Sequence, residues 1–321
     1  MDFSLLTMGT ASALPTANRY SSAHILKISG RLFLLDCGEG AQMQMRRFGV
    51  SFNKIDNIFI SHMHGDHIFG LFGFLSTLAM SGRISPLNIF ASEGFSNILS
   101  FFLSQFGEGI KYPINHVIVK CKEPTLIHET KNVDIYSFPL VHRCETYGYL
   151  FKEKDPQLNV HKHLIETNNL TLYEIARLKE GNDIIRDSFF IDESGEQIPF
   201  KQTLLNKDFT YKPFKPRSFA YCTDTQYFKR LSQWVKGVDL LYHDSTYTNE
   251  FANLAKTTLH STSAQAATCA KEAGVGKLIL GHYSSRYKSL EPLLEEAKVI
   301  FPDSYLSKEG TVFEIPLERV K

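Results

Sequence analysis

This chain has no CxxC pair, no long apolar run and no charge excess, and each absence removes a class of protein. The five cysteines, Cys37, Cys121, Cys144, Cys222 and Cys269, are scattered and odd in number, so they read as reduced, mostly buried thiols of a cytosolic protein rather than a disulfide framework. The opening MDFSLLTMGTASALP carries no basic stretch ahead of its apolar residues, and the longest apolar stretch, near Ile68 to Met80, contains Ser and Gly. It is too short to span a bilayer, so neither export nor membrane anchoring is expected. The formal net charge of +1 gives no global attraction to nucleic acid or membrane, so any polyanion must be recognised by local patches. No repeat of solenoid period is present. What remains is a chain of 321 residues, long enough for one layered domain with a real core or for a core carrying an insertion.

The densest chemistry lies in Ser61-His62-Met63-His64-Gly65-Asp66-His67, directly after the apolar run Asn57 to Ile60. Imidazole nitrogen and carboxylate oxygen are zinc's ligands outside thiolate sites, and HxHxDH offers two groups of them to two adjacent ions. If His62 and His64 share one side of an extended stretch they can grip a first ion, while Asp66 and His67 open the next helix and face a second. Three further apolar runs each deliver one ligand type at the carboxyl end: Val133 to Val141 into His142, Ser218 to Thr223 into Asp224, and Lys277 to Gly281 into His282. Open sheets form their sites outside such strand ends, so four distant segments can converge on one rim. Helices are expected between them, over Gly40 to Phe48, Gln226 to Lys236 and Ser263 to Ala273, with Gly49, Gly237 and Gly274 as stops. Strands interspersed with helices suggest two sheets flanked by helices.

These segments, with Leu6-Thr7-Met8-Gly9-Thr10, Leu35-Asp36-Cys37-Gly38-Glu39-Gly40, His243-Asp244-Ser245-Thr246, His260-Ser261-Thr262 and Gly281-His282-Tyr283-Ser284-Ser285-Arg286-Tyr287, resemble the metallo-β-lactamase superfamily and, within it, the ribonuclease Z family of tRNA 3′-processing endonucleases. The resemblance implies an α+β fold, an αββα sandwich of two mixed sheets flanked by helices, spanning residues 1–321 as a single domain with an arm inserted at 151–217. It implies two zinc ions per subunit, one held by His62, His64 and His142 and the other by Asp66, His67 and His282, with Asp224 bridging. A hydroxide activated between the ions would attack the phosphodiester, leaving a 3′-hydroxyl on the tRNA. Asp66 would accept the nucleophile's proton, and His260, partnered by Asp244, would protonate the departing 3′-oxygen; the competing reading of His260 is a cap for the helix near Ser263. The family has HEAT where this chain has His243-Asp244-Ser245-Thr246, and Asp244 is one methylene shorter.

Arg286 beside Ser284 could fork a phosphate or join a surface ion pair, and the turn Pro15 to Tyr20 resembles the family's PxKxRN loop, keeping Pro15 and Arg19 but with Ala17 and Tyr20 in place of Lys and Asn. Arg19, Ser284 and Arg286 are therefore the candidate substrate contacts. The insertion lacks the family's Gly-Pro-rich basic pattern: its middle, Glu180 to Glu196, is acidic and its return, Lys201 to Arg217, is basic, so it is either a tRNA-binding arm or an ordinary surface insertion. Leu170 to Leu178 reads as a helix that could pack on a partner subunit. Cys222 is expected as a buried thiol, His24 and His116 as core or sheet-face residues, and His128, His161 and His163 as exposed. The family further implies precursor tRNA as substrate, a cytoplasmic location and a homodimer. Two other functions share these residues: a small-molecule, cyclic nucleotide-like phosphodiesterase on the same dinuclear site, and a zinc-stabilised RNA-binding protein without turnover.

Overall fold

Apolar residues two apart along a strand face the same layer, and in the computed structural model, which describes residues 2–320, that alternation builds two sheets. The first contains β1 (Phe3–Gly9), β2 (Ala23–Ile28), β3 (Arg31–Cys37), β4 (Ile55–Phe59), β5 (Leu87–Ala91) and β6 (Ile114–Ile118). β1 to β3 form an antiparallel meander. From β3 to β6 the neighbours are parallel, because α1 (Ala41–Arg47), α2 (Gly65–Met80) and α3 (Phe95–Phe106) each carry the chain back to the same end of the sheet. The second sheet begins with the antiparallel β7 (Thr125–Glu129), β8 (Val133–Pro139) and β9 (Tyr147–Glu153).

After β9 the chain enters a second compact unit, residues 154–216 with 317–321. It holds β10 (Asn159–Val160), α4 (Lys162–Thr167), α5 (Leu172–Lys179), the hairpin β11 (Ile184–Ile191) and β12 (Gln197–Leu204), α6 (Asn206–Phe209) and β13 (Thr210–Tyr211), which pairs with β10. Its core is small: Val160, Leu170, Leu178, Ile184, Leu204 and Phe209. Thr171 and Glu174 form a reciprocal capping box at the start of α5, and the same carboxylate receives Arg186 Nε at 2.5 Å and Nη2 at 2.8 Å. Those bonds, Arg186 foremost, pull the Glu174 carboxyl down to about 2. A depressed carboxyl stabilises the fold above its unfolded value and loses that contribution as pH falls toward the folded value. Acidification from about pH 5 to 2 should therefore loosen α5 and the hairpin, seen as rising amide exchange there, and Glu174→Gln should remove this pH dependence.

The chain rejoins the first unit at Arg217. β14 (Ser218–Cys222) pairs antiparallel with β9, and β15 (Leu240–Asp244), β16 (Lys277–Gly281) and β17 (Ser304–Leu306) follow in parallel, connected through α7 (Lys229–Trp234), α8 (Ala252–Thr258), α9 (Ser263–Ala273) and α10 (Glu291–Ile300). β18 (Val312–Glu314) closes the first sheet beside β1. Three apolar layers result. Phe33, Phe59, Tyr149, Phe151 and Tyr221 fill the space between sheets; Leu34, Ile58, Phe74 and Leu75 pack the first sheet on α1 to α3; Cys222, Leu231, Ala270 and Leu293 pack the second on α7, α9 and α10. The fold is thus two mixed sheets flanked by helices, and Cys222 is a thiol inside the outer apolar layer. The helix expected over Gln226 to Lys236 is confined to α7, because the Gln226 N–H donates to Val141 O at 2.9 Å and holds that segment in a loop.

The ends of β9 and β14 are clamped by a buried ion pair. Arg217 donates through Nε to Glu153 Oε2 at 2.9 Å and through Nη2 to Oε1 at 2.8 Å, and through Nη1 to Ile315 O at 2.9 Å. Removing one member leaves the other charge buried, which typically costs about 3–5 kcal/mol. Urea denaturation of Glu153→Ala should register a loss of that order.

Candidate metal centre

The carboxyl ends of β4, β14, β15 and β16 and the β8–β9 loop meet on one rim. Beyond β4 the chain bends at Met63, is extended at His64 and turns into α2 at Gly65, so Asp66 and His67 occupy the first helical turn. α2 can approach because two positions lack a side chain: a Cβ on Gly70 would stand 2.1 Å from Gly38 O, and one on Gly38 would stand 2.2 Å from Asp66 O. Asp36, Asp224 and His282 adopt left-handed backbone with φ of 53°, 46° and 62°. For residues other than glycine this conformation costs on the order of 1–3 kcal/mol and recurs at functional sites.

Two groups of ligand atoms converge, one from His62, His64, His142 and Asp224 and one from Asp66, His67 and His282. Asp224 Oδ1 lies 3.2 Å from both His67 Nε2 and His282 Nε2, while its Oδ2 lies 3.6 Å from His62 Nε2 and 3.8 Å from His142 Nε2. Its two oxygens therefore face the two groups. Asp66 Oδ2 lies 3.4 Å from His67 Nε2 and 3.7 Å from His282 Nε2, and accepts the Ala13 N–H at 2.9 Å.

The outer nitrogens of these imidazoles are held from behind. His67 Nδ1 bonds Asp36 Oδ2 at 2.8 Å, His62 Nδ1 bonds Ser61 Oγ at 3.0 Å, His142 Nδ1 bonds Leu259 O at 3.1 Å and His282 Nδ1 bonds Thr246 Oγ1 at 3.0 Å. Asp36 is wholly buried and also accepts from Ser61 N and Oγ and from Tyr221 OH. Sequence reasoning assigns no role to Asp36, Ser61, Thr246 or the Leu259 carbonyl, although the matched segments Leu35 to Gly40, Ser61 to His67 and His243 to Thr246 contain the first three. Because such outer partners fix tautomer and orientation, Asp36→Ala should weaken metal affinity about 10–100-fold, measurable by competition with a chromogenic chelator.

The donor set fits a pair of divalent cations. His67 Nε2 and His282 Nε2 are buried without a hydrogen-bond partner, both aimed at the gap beside Asp224. Burial pushes the His62, His64 and His142 imidazoles toward the neutral form that ligates metal. Burial opposes ionisation of Asp66 and Asp224 too, but the surrounding imidazoles outweigh it and hold both carboxyls well below their ordinary range. His67 is the exception among the shifted ligand imidazoles: burial disfavours its charged form, yet the carboxylates of Asp224, Asp66 and Asp36 outweigh it and push it well above its ordinary range, so the gap beside the two buried anions is a place that favours positive charge.

Asp244, fully buried at the end of β15, reaches His260 despite its short side chain, with Oδ2 2.7 Å from His260 Nδ1. Its other oxygen accepts from Thr246 N and Oγ1. Burial disfavours the charged imidazole, yet the Asp244 carboxylate prevails and lifts His260 to about 9. The ring stacks on His282 at 5.1 Å and lies 5.0 Å from that of His142. The capping alternative fails because Thr262, with Gln265, caps α9.

The three candidate substrate contacts lie nearby but are partly engaged. Arg19 donates to Ser284 O at 3.4 Å and Tyr287 O at 2.7 Å, tying its loop to the segment after β16. Ser284 Oγ accepts from Arg286 Nε at 3.2 Å, and the Arg286 guanidinium lies over Phe251 and Tyr247, 4.5 and 5.2 Å from the ring centres. Cys144 is half-buried, with Sγ 3.8 Å from His64 Nε2. Of the other histidines, His24 is a buried core residue and His116 bonds Ser96 Oγ at 2.8 Å. His128 and His161, expected to be exposed, are half-buried against Phe90 and Tyr211, while His163 is exposed.

Among the described residues no helix is long and apolar enough to cross a membrane. Residues 213–283 match the family described as beta-lactamase superfamily domain, and residues 3–154 match the family described as anti-Pycsar protein Apyc1. The chain is 42% identical over 315 residues to a ribonuclease Z of Cytophaga hutchinsonii, covering 98% of this chain and 97% of that one. It is 39% identical over 307 residues to a ribonuclease Z of Porphyromonas gingivalis, covering 96% and 97%. Its fold is similar to the crystal structure of the short form of human tRNase Z, with a TM-score of 0.69 at 21% identity, covering 98% and 99%.

Proposed function

The chain belongs to the ribonuclease Z family of the metallo-β-lactamase superfamily, and from that premise we propose that it is an endoribonuclease that removes 3′ trailers from precursor tRNA, using two zinc ions per subunit, as a cytoplasmic homodimer. The observation that carries this reading beyond its family is the buried Asp244–His260 pair beside a seven-residue ligand cluster. His62, His64, His142 and Asp224 would hold one divalent ion, and Asp66, His67, His282 and Asp224 the other. When bound, such ions would lower the pKa of a water molecule and neutralise charge on the attacked phosphoryl group.

The chain's own groups manage the protons. The Ala13 N–H fixes one oxygen of Asp66, which stays ionised and can accept the proton that the attacking water loses. As the bond from phosphorus to the 3′-oxygen breaks, that oxygen needs a proton. His260 Nδ1 is committed to Asp244, so the opposite ring nitrogen, Nε2, is its donor, and the lifted pKa keeps it charged at neutral pH. The tRNA then leaves with a 3′-hydroxyl and the trailer with a 5′-phosphate. The inserted unit, residues 154–216, would bind the body of the tRNA through the lysines between Lys201 and Lys215.

Incubation of zinc-loaded protein with precursor tRNA, mature tRNA and a cyclic nucleotide tests this, with Asp66→Ala as control. Trailer release by wild type alone supports the proposal. Turnover of the cyclic nucleotide only would identify a small-molecule phosphodiesterase, and tight tRNA retention without cleavage would identify a binding protein.

A further inference from the structure

The loop from Ala11 to Tyr20 has two working ends. At Ala13 its backbone meets Asp66; at Ala17 to Tyr20 it walls a separate cavity of about 500 Å³ that the reaction described above does not use. Four cationic side chains line this cavity: Arg19, Arg47, Lys288 and Lys308. Arg19 is consumed in bracing the loop, but no ion pair among the described residues engages Arg47, Lys288 or Lys308, all three exposed. Two acids oppose them, Glu291 and Glu309, the latter fixed in place by one oxygen that accepts from Thr10 N, Thr10 Oγ1 and Tyr20 N, so cations outnumber anions in the lining by two. Tyr20 supplies a half-exposed ring, seated so closely over Gly40 that a Cβ there would stand 2.7 Å from it.

Unpaired cations around a fixed aromatic face are the elements of a single-stranded nucleic-acid subsite, where cations track phosphates and a ring stacks a base without sequence preference. Resting on the proposed trailer cleavage, we infer that this cavity holds the RNA on the leaving side of the scissile phosphate, the single-stranded trailer, while the tRNA body lies elsewhere. The same loop that steadies Asp66 then also lines the path of the departing strand. Trailers of several nucleotides engage Lys288, Lys308 and Tyr20; a trailer of one nucleotide is too short to do so.

The test compares precursors carrying trailers of one and of eight nucleotides, as the ratio of their kcat/KM values, in wild type and in Lys288→Glu/Lys308→Glu. The charge reversals lie on exposed side chains, and a thermal melt checks that the fold is retained. The ratio of long to short is expected to fall at least tenfold in the variant. Its dependence on salt should also weaken, by about 0.7 in log–log slope for each phosphate that the protein no longer neutralises. Tyr20→Ala should lower the same ratio and Tyr20→Phe restore it. A ratio unchanged from wild type, or an equal drop on both precursors, overturns the inference. If wild type cleaves neither precursor, the trailer reading itself has failed, which is a separate result.

Discussion

Asp224→Ala is expected to abolish metal retention and RNA cleavage together, with a rate loss of at least about 10⁴, beyond the usual span for one acid–base group. Among the described residues, Asp224 is the one side chain whose two oxygens face both ligand groups, at 3.2 Å from His67 and His282 and at 3.6 and 3.8 Å from His62 and His142. Its loss deprives both positions of their shared anion and leaves imidazoles facing one another. Metal content after gel filtration should fall from two ions to fewer than one per chain. Retention of two ions with activity within tenfold of wild type would remove Asp224 from the bridging position.

His260→Ala should separate catalysis from metal binding. Loss of a general acid lowers kcat by about 10²–10⁴, while both ions remain, because His62, His64, Asp66, His67, His142, Asp224 and His282 are untouched. His260 also lies with Asp224 and His282 in a third grouping of ligand atoms, so the metal count decides between the two roles. If His260→Ala loses an ion, it is a ligand. If it keeps both, a precursor whose 3′-bridging oxygen is replaced by sulfur, a leaving group that needs no proton, should recover most of the missing rate. Asp244→Asn should behave as a milder version, since it keeps the shape but removes the charge that holds His260 protonated.

The ligand candidates were legible in the sequence because each follows an apolar run, and a parallel strand delivers whatever residue succeeds it to a common rim. The supports were not. Asp36 acts on His67 across 31 residues and on Tyr221 across 185, contacts created when α2 docks on the first sheet and the second sheet stacks against it, and invisible to any local pattern. Asp244 and His260 carried a signal through the resemblance, but whether an aspartate spans the gap depends on how closely the end of β15 approaches His260, which no spacing in the sequence reveals. In the inserted unit, the stretch Glu180 to Glu196 read as acidic and gave no strand signal. It contains β11, whose tip bears Asp192, Glu193 and Glu196 and whose flanks expose Phe189, Phe190 and Ile191. A hairpin apolar on both faces lacks the two-residue alternation that marks a half-buried strand.

The left-handed backbone at Asp224 and His282 matters for anyone breeding this protein for heat tolerance. Each is a place where glycine would relax the main chain, so a screen that rewards survival at temperature alone would be drawn to these two codons. It would collect its gains by dismantling the centre, and the winners would be durable and inert.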